Sequence, residues 1–232
     1  MKNRTVSLVV TIALMISLTL LIPQVSYASL GGFVEDDFTR ISEGGFGDPL
    51  NNYAWSMTYF DGDLYVGTGR NIPYMMGLTL KMAGLIPWET ELAGITHPSG
   101  APPPPFIPPG QPDPDPSEVI KWAEDMLGEI WRYHCGEWEM VHKAKTFVNP
   151  INGYTYPEGI GYRIMTTFNG AIYAGVGVAF GPTLLMMSED GENWDPVNTY
   201  TNIPWPSDTR ALAVHNGKLY LGTSEEDLAG LV

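Results

Sequence analysis

The stretch "FDGDLYVGTGRNI" (60–72) returns almost unchanged as "FNGAIYAGVGVAF" (168–180) and again as the start of "HNGKLYLGTSEEDLAGLV" (215–232). Aligned on Gly62, Gly170 and Gly217, the three copies place Leu64, Ile172 and Leu219 in register, then Tyr65, Tyr173 and Tyr220, then Gly67, Gly175 and Gly222. Upstream of each glycine, side chains of one type recur on alternate positions: Met57 and Tyr59, Met165 with Thr167, Leu212 and Val214. Alternation joined by Asp-Gly or Asn-Gly predicts two antiparallel strands and a tight turn whose central residues take positive φ.

A second motif alternates with the first. In "GEIWRYHCGEWEMVH" (128–142) and "TLLMMSEDGENWDPVN" (183–198), an apolar strand meets a glycine turn at Gly136 or Gly191, and the next strand opens on Trp138 or Trp194. The chain therefore runs hairpin after hairpin. The 47 residues from Gly170 to Gly217 are about the length of one four-stranded propeller blade. The fold class expected is all-β, a β-propeller of four-stranded antiparallel blades, about three in number with the last incomplete. "DDFTRISEGGFGDPLNN" (36–52) is expected to supply a lone fourth strand, with Phe38 where Trp138 and Trp194 stand later.

These residues resemble a known group. "SEDGENW" (188–194) is similar to the Asp-box turn of sialidase-like propellers, one residue shorter than the common form. "NGKLYLGT" (216–223) with "GEIWRY" (128–133) resembles kelch-type and related repeats of secreted microbial propellers. The resemblance covers nearly all of 34–232 outside one insertion. It implies a fold and a structural role for Asp190, and it implies little about activity, because propellers host many unrelated functions. Sialidases depend on grouped arginines with a tyrosine and carboxylates, which one Asp-box-like turn does not supply.

The N-terminal "MKNRTVSLVVTIALMISLTLLIPQVSYAS" has basic Lys2 and Arg4, a long apolar run, and small residues Ser26 and Ala28. It predicts a signal peptide over 1–28 and a product that is secreted or held at the cell surface, with an uncleaved anchor as the other outcome. The net charge of -14 argues against a nucleic-acid partner, whose phosphates need a basic surface. Cys135 is the only cysteine, so no intrachain disulfide forms. His97, His134, His142 and His215 show no metal-ligand spacing, "GVGVAFG" (175–181) lacks the Lys-Ser/Thr of a phosphate loop, and no Gly-x-Ser-x-Gly elbow occurs. No cofactor, metal or catalytic group is expected.

Gly62 and Gly170 stand 108 residues apart, so the first repeat carries an insertion from about Ile72 to Met126. It opens apolar and rich in methionine, runs through prolines 102–105 as a stiff exposed spacer, and ends in a short amphipathic helix from Ser117. Antiparallel order places the tight turns at one end of each blade and the long connections at the other. Loops on a rigid body are where binding resides. The residues expected on that loop-rich face are Arg70, Tyr154, Tyr156, Glu158, Arg163, Trp205, Asp208 and Arg210. Arg163 and Arg210 share one repeat position, seven before their glycines, and suit either anion binding or a bridge between blades.

Met75, Met76, Leu78 and Met82, with Leu80, Leu85 and Ile86, form an apolar group with three readings: a cover packed on the propeller, a partner-docking surface, or a membrane-contacting loop. The functional expectation is an exported binding or scaffolding module that recognises a protein or a glycan. The alternatives are part of a carbohydrate-active propeller enzyme, or a surface-assembly subunit that docks through its insertion. An unfinished ring further predicts either more repeats in a longer protein or several copies closing the ring together.

Overall fold

The computed structural model describes residues 37–91, 94–104, 106–199 and 207–225. The segment 1–28, expected to be a signal peptide, and Trp205 lie outside the described residues. The chain divides into Met1–Ile41 and Ser42–Val232, and the second unit carries every element described below.

Four strands come first in pairing order: β1 (Asn51–Phe60), β2 (Asp63–Arg70), β3 (Glu129–His134) and β4 (Glu137–Lys143), each antiparallel to the next. A short hairpin of β5 (Thr146–Val148) and β6 (Thr155–Pro157) leads to a second meander. This consists of β7 (Gly159–Phe168), β8 (Ala171–Ala179), β9 (Thr183–Ser188) and β10 (Asp195–Thr199). A final hairpin pairs β11 (Ser207–His215) with β12 (Lys218–Glu225). Single bridge pairs, Gly69 with Gly161 and Ala179 with Ser207, join neighbouring units into one antiparallel sheet. The architecture is mostly β and propeller-like.

The hairpin turns follow the sequence chemistry. Asp61-Gly62, Cys135-Gly136, Asn169-Gly170 and Asn216-Gly217 all place both central residues at positive φ, which matches the twist of the flanking strands. The Gly191 turn is stapled instead by Asp190. Its Oδ1 accepts from the backbone N–H of Asn193 (2.7 Å) and Glu192 (2.9 Å), and its Oδ2 accepts from the Asn193 amide at 2.7 Å. The Asn193 bonds foremost hold this carboxyl well below the usual carboxylate range. Trp194, at the exit of the turn, is buried in the core between the two meanders with Tyr65, Ile130, Tyr162, Met165 and Ile172.

Two expectations fail. No strand occurs in 37–50; a tight helical turn spans Gly44–Gly47, with Gly45 and Phe46 at positive φ, which extended backbone excludes. Phe46 stacks on Trp131 with ring centroids 4.9 Å apart and lies tilted against Trp138 at 4.8 Å. The proline-rich stretch is also no exposed spacer throughout, since Pro103 and Phe106 are buried.

The insertion builds a second core. Helices α1 (Ile72–Met82) and α2 (Pro116–Asp125) bury Met75, Leu78, Trp122 and Met126 together with Phe106 against Tyr156 of the short hairpin and Ile160 and Phe180 of the second meander. Asp115, rather than Ser117, caps α2, its Oδ1 accepting from the Ser117 backbone N–H at 2.8 Å. Pro116 then occupies the first helical position, where no N–H is needed. Among the described residues no helix is long and apolar enough to cross a membrane.

Candidate functional site

The first strand of each unit carries a register irregularity at the same repeat position. The shifts fall between Ala54 and Ser56 in β1, Tyr162 and Ile164 in β7, and Thr209 and Ala211 in β11. The extra residues are therefore Trp55, Arg163 and Arg210. A bulge turns its side chain out of the regular alternation and re-aims it. Here the three re-aimed side chains meet at the loop end of the sheet.

The Arg163 guanidinium carbon lies 5.0 Å from the centre of the Trp55 ring, a cation–π distance. Arg163 Nη1 donates to Asp208 Oδ2 at 2.9 Å, and Arg210 Nη2 reaches the same oxygen at 3.0 Å. The other oxygen accepts from the Val178 backbone N–H at 2.6 Å. Asp208 is buried while both arginines remain partly open to solvent. Glycines make room for the indole: a Cβ on Gly161 or Gly177 would stand 2.7 or 2.8 Å from Trp55 ring carbons. The "GVGVAFG" stretch is thus glycine-rich because strands pack closely there.

These residues line a groove of about 450 Å³, whose opposite wall is α1, contributing Met75, Met76, Thr79 and Leu80. Two guanidinium groups and a single carboxylate give its lining a net positive charge within a chain of net charge -14. Its chemistry suits a ligand bearing a carboxylate or similar anion next to an apolar portion, because a guanidinium edge binds carboxylate in two places.

The structure brings together Arg163, Asp208, Arg210, Met75 and Met76 from the expected residues, and places the other described ones elsewhere. Arg70 is buried in an ion cluster: Nη1 contacts Glu129 Oε1 (3.0 Å), Asp48 Oδ2 (2.9 Å) and Asn51 Oδ1 (3.1 Å), while Nε donates to the Asp125 carbonyl at 2.9 Å. Lys143 Nζ stands 3.1 Å from the same Glu129 oxygen. Tyr156 is fully buried, donating to the Pro104 carbonyl (2.8 Å) and stacked on Phe180. Tyr154 is half-buried in the loop between β5 and β6, and Glu158 accepts from the Thr183 hydroxyl at 2.7 Å. Leu78 is buried and Met82 partly buried against the insertion core, whereas Met76 is exposed.

Trp55 and Glu129 were missed from sequence. Trp55 stands seven residues before Gly62, the position Arg163 and Arg210 hold in their own repeats, and that alignment could have found it. Among the described residues no cluster of His, Cys, Asp or Glu is arranged to hold a metal ion. Comparison of the chain with protein-family models, with curated proteins and with solved structures gives no match.

Proposed function

We propose that the chain is an exported β-propeller binding module, built from four-stranded blades of the kelch and Asp-box type, that recognises a ligand through its loop-rich face. The meanders supply the blades, and β1, β7 and β11 are the strands that line the channel. The recognition site is the groove at the mouth, and the element gripped is a carboxylate on an acidic glycan. The observation that carries this proposal is the convergence of Arg163 and Arg210 with Trp55, one bulged residue from each repeat, around a shared buried Asp208. Aromatic rings beside paired guanidiniums suit a sugar ring bearing an acid group.

A glycosidase reading has less support. Retaining or inverting hydrolysis needs two carboxyl groups flanking the bond, and the described lining holds only Asp208, whose oxygens already accept from Val178 and both arginines. Titration calorimetry with an oligogalacturonate and with its neutral methyl ester tests the proposal. The acid form should bind and the ester should not, and Arg210→Gln should weaken binding about tenfold or more, the loss of one charge-assisted contact. Equal affinity for acid and ester, unchanged affinity in Arg210→Gln, or no binding of either probe rejects it.

A further inference from the structure

Helix α1 separates two cavities. Its residues Met75, Met76, Thr79 and Leu80 face the arginine groove, whereas Tyr74, Leu78 and Lys81, spaced four and three apart, face a second cavity of about 610 Å³ inside the insertion. Trp88, Glu89 and Glu91 line this cavity from the loop after the helix, and Phe106 lines it from the proline-rich stretch. Small-molecule sites occupy about 300–1,000 Å³, so the space is of the size a ligand needs.

The walls are held by hydrogen bonds. Lys81 Nζ donates to the Trp88 carbonyl at 2.9 Å, which ties the loop to the helix. The segment that carries Gly100, another lining residue, is fixed to α2 on both sides: the Ser99 N–H donates to Asp125 Oδ2, and the Ala101 N–H donates to the Glu118 carbonyl at 3.2 Å. Gly100 itself lies so close to α2 that a Cβ would stand 2.0 Å from the same carbonyl oxygen. The cavity is thus built in advance, and little ordering remains to oppose binding.

Floor and rim differ in character. Tyr74, Leu78 and Phe106 are buried and form the floor, and half-buried Trp88 adds a third aromatic ring. Glu89 and Glu91 are exposed at the rim, and among the described residues neither takes a salt bridge. Two carboxylates against the one ammonium of Lys81 make the lining net negative, opposite in sign to the groove across the helix. Trp55 in that groove already carries the Arg163 guanidinium on its ring. Among the described residues no such cation stands over Trp88.

We infer that this second cavity binds a small organic cation, an ammonium wrapped in methyl or methylene groups. Aromatic faces attract the charge through their quadrupole, the alkyl shell suits the apolar floor, and the rim carboxylates supply the counter-charge. A metal ion does not fit, because Leu78 and Phe106 offer no oxygen to replace its hydration shell. An anion would meet Glu89 and Glu91 on entry. The two sides of α1 therefore select ligands of opposite charge.

Choline and its neutral isostere 3,3-dimethyl-1-butanol share a shape and differ in charge, so they isolate the electrostatic attraction. In titration calorimetry on the chain, choline raised to about 10 mM, a range that reveals millimolar contacts, should bind, and the isostere should bind at least about tenfold more weakly. Trp88→Leu keeps an apolar group and removes the π face, and should weaken choline about tenfold. Glu89→Gln combined with Glu91→Gln alters two exposed side chains only; it should weaken choline about fivefold with an unchanged melting temperature. No binding of choline, equal affinity for the isostere, or choline affinity unchanged in either variant would overturn the inference.

Discussion

His142 sits on β4 with its Nε2 2.6 Å from the Tyr162 hydroxyl and its ring 6.0 Å from Trp194. Burial, with Lys145 adding to it, pushes the imidazole from 6.5 down to about 4. Burial also raises the Tyr162 hydroxyl above its ordinary range, so this pair is neutral throughout the physiological range. Since the folded value lies below the unfolded one, the unfolded chain binds the extra proton between them, and stability falls as pH falls through 6.5 toward 4. Between about pH 7.5 and pH 5 the loss from this one group is about 2 kcal/mol.

Carboxylates titrate in the same range, so the contribution of the imidazole is isolated by difference. His142→Gln keeps a polar partner for Tyr162 and removes the titration. Urea unfolding at the two pH values should show the unaltered protein losing about 2 kcal/mol more than the variant, a midpoint difference of about 1 M. Equal losses in both proteins, or a His142 ring that titrates near 6.5 by NMR in the folded state, would refute the assignment of a buried neutral histidine.

Three further outcomes follow from the packing. Glu129→Gln leaves the buried Arg70 guanidinium with its principal counter-charge removed and should cost about 3–5 kcal/mol in urea titrations, while Arg70→Met combined with Glu129→Leu should recover part of it; an additive double variant would contradict the pairing. Gly191→Ala places a methyl group against the Tyr65 hydroxyl at positive φ and should cost about 2–3 kcal/mol, partly regained in Tyr65→Leu, and thermal melts without that coupling would contradict the contact. Trp122→Ala should cost about 3–5 kcal/mol, and removal of 72–126 should abolish cooperative melting because Tyr156, Ile160 and Phe180 lose their cover; a deletion protein that melts like the parent would show the insertion to be separable.

The hairpins were legible because Asp-Gly and Asn-Gly demand positive φ at two successive residues, and few other backbone arrangements accommodate that. The bulges at Trp55, Arg163 and Arg210 were not, since one extra residue on a strand leaves no mark in composition and is defined only against its partner. Without the bulge, strict alternation assigns each of these side chains a face, and the convergence at the mouth stays hidden. Arg70 at a strand exit looked available for a ligand because its main partner, Glu129, stands 59 residues further on, across the insertion. The prolines were misread for a related reason. A missing N–H excludes them from a ladder but says nothing about packing, and the cue was Phe106 among them, which stacks on Trp122 at 6.3 Å.

The Arg70 cluster and the groove are connected through one residue. Asn71 follows Arg70 directly, takes φ 48, and is the N-cap of α1, the helix that forms the apolar wall of the groove. Its N–H donates to the Leu50 carbonyl at 2.7 Å, and the next N–H donates to Asn52 Oδ1 at 3.1 Å. The start of α1 is therefore pinned to the chain around Asn51, whose amide itself donates to Glu129 at 2.8 Å. Loosening the ion cluster should move the helix that faces Arg163 and Arg210. The two kinds of substitution then separate by readout: Glu129→Gln should lower both stability and oligogalacturonate affinity, whereas Arg210→Gln, on a half-exposed side chain, should lower affinity alone. A Glu129→Gln protein with reduced stability and full affinity would show that α1 holds its position without the cluster.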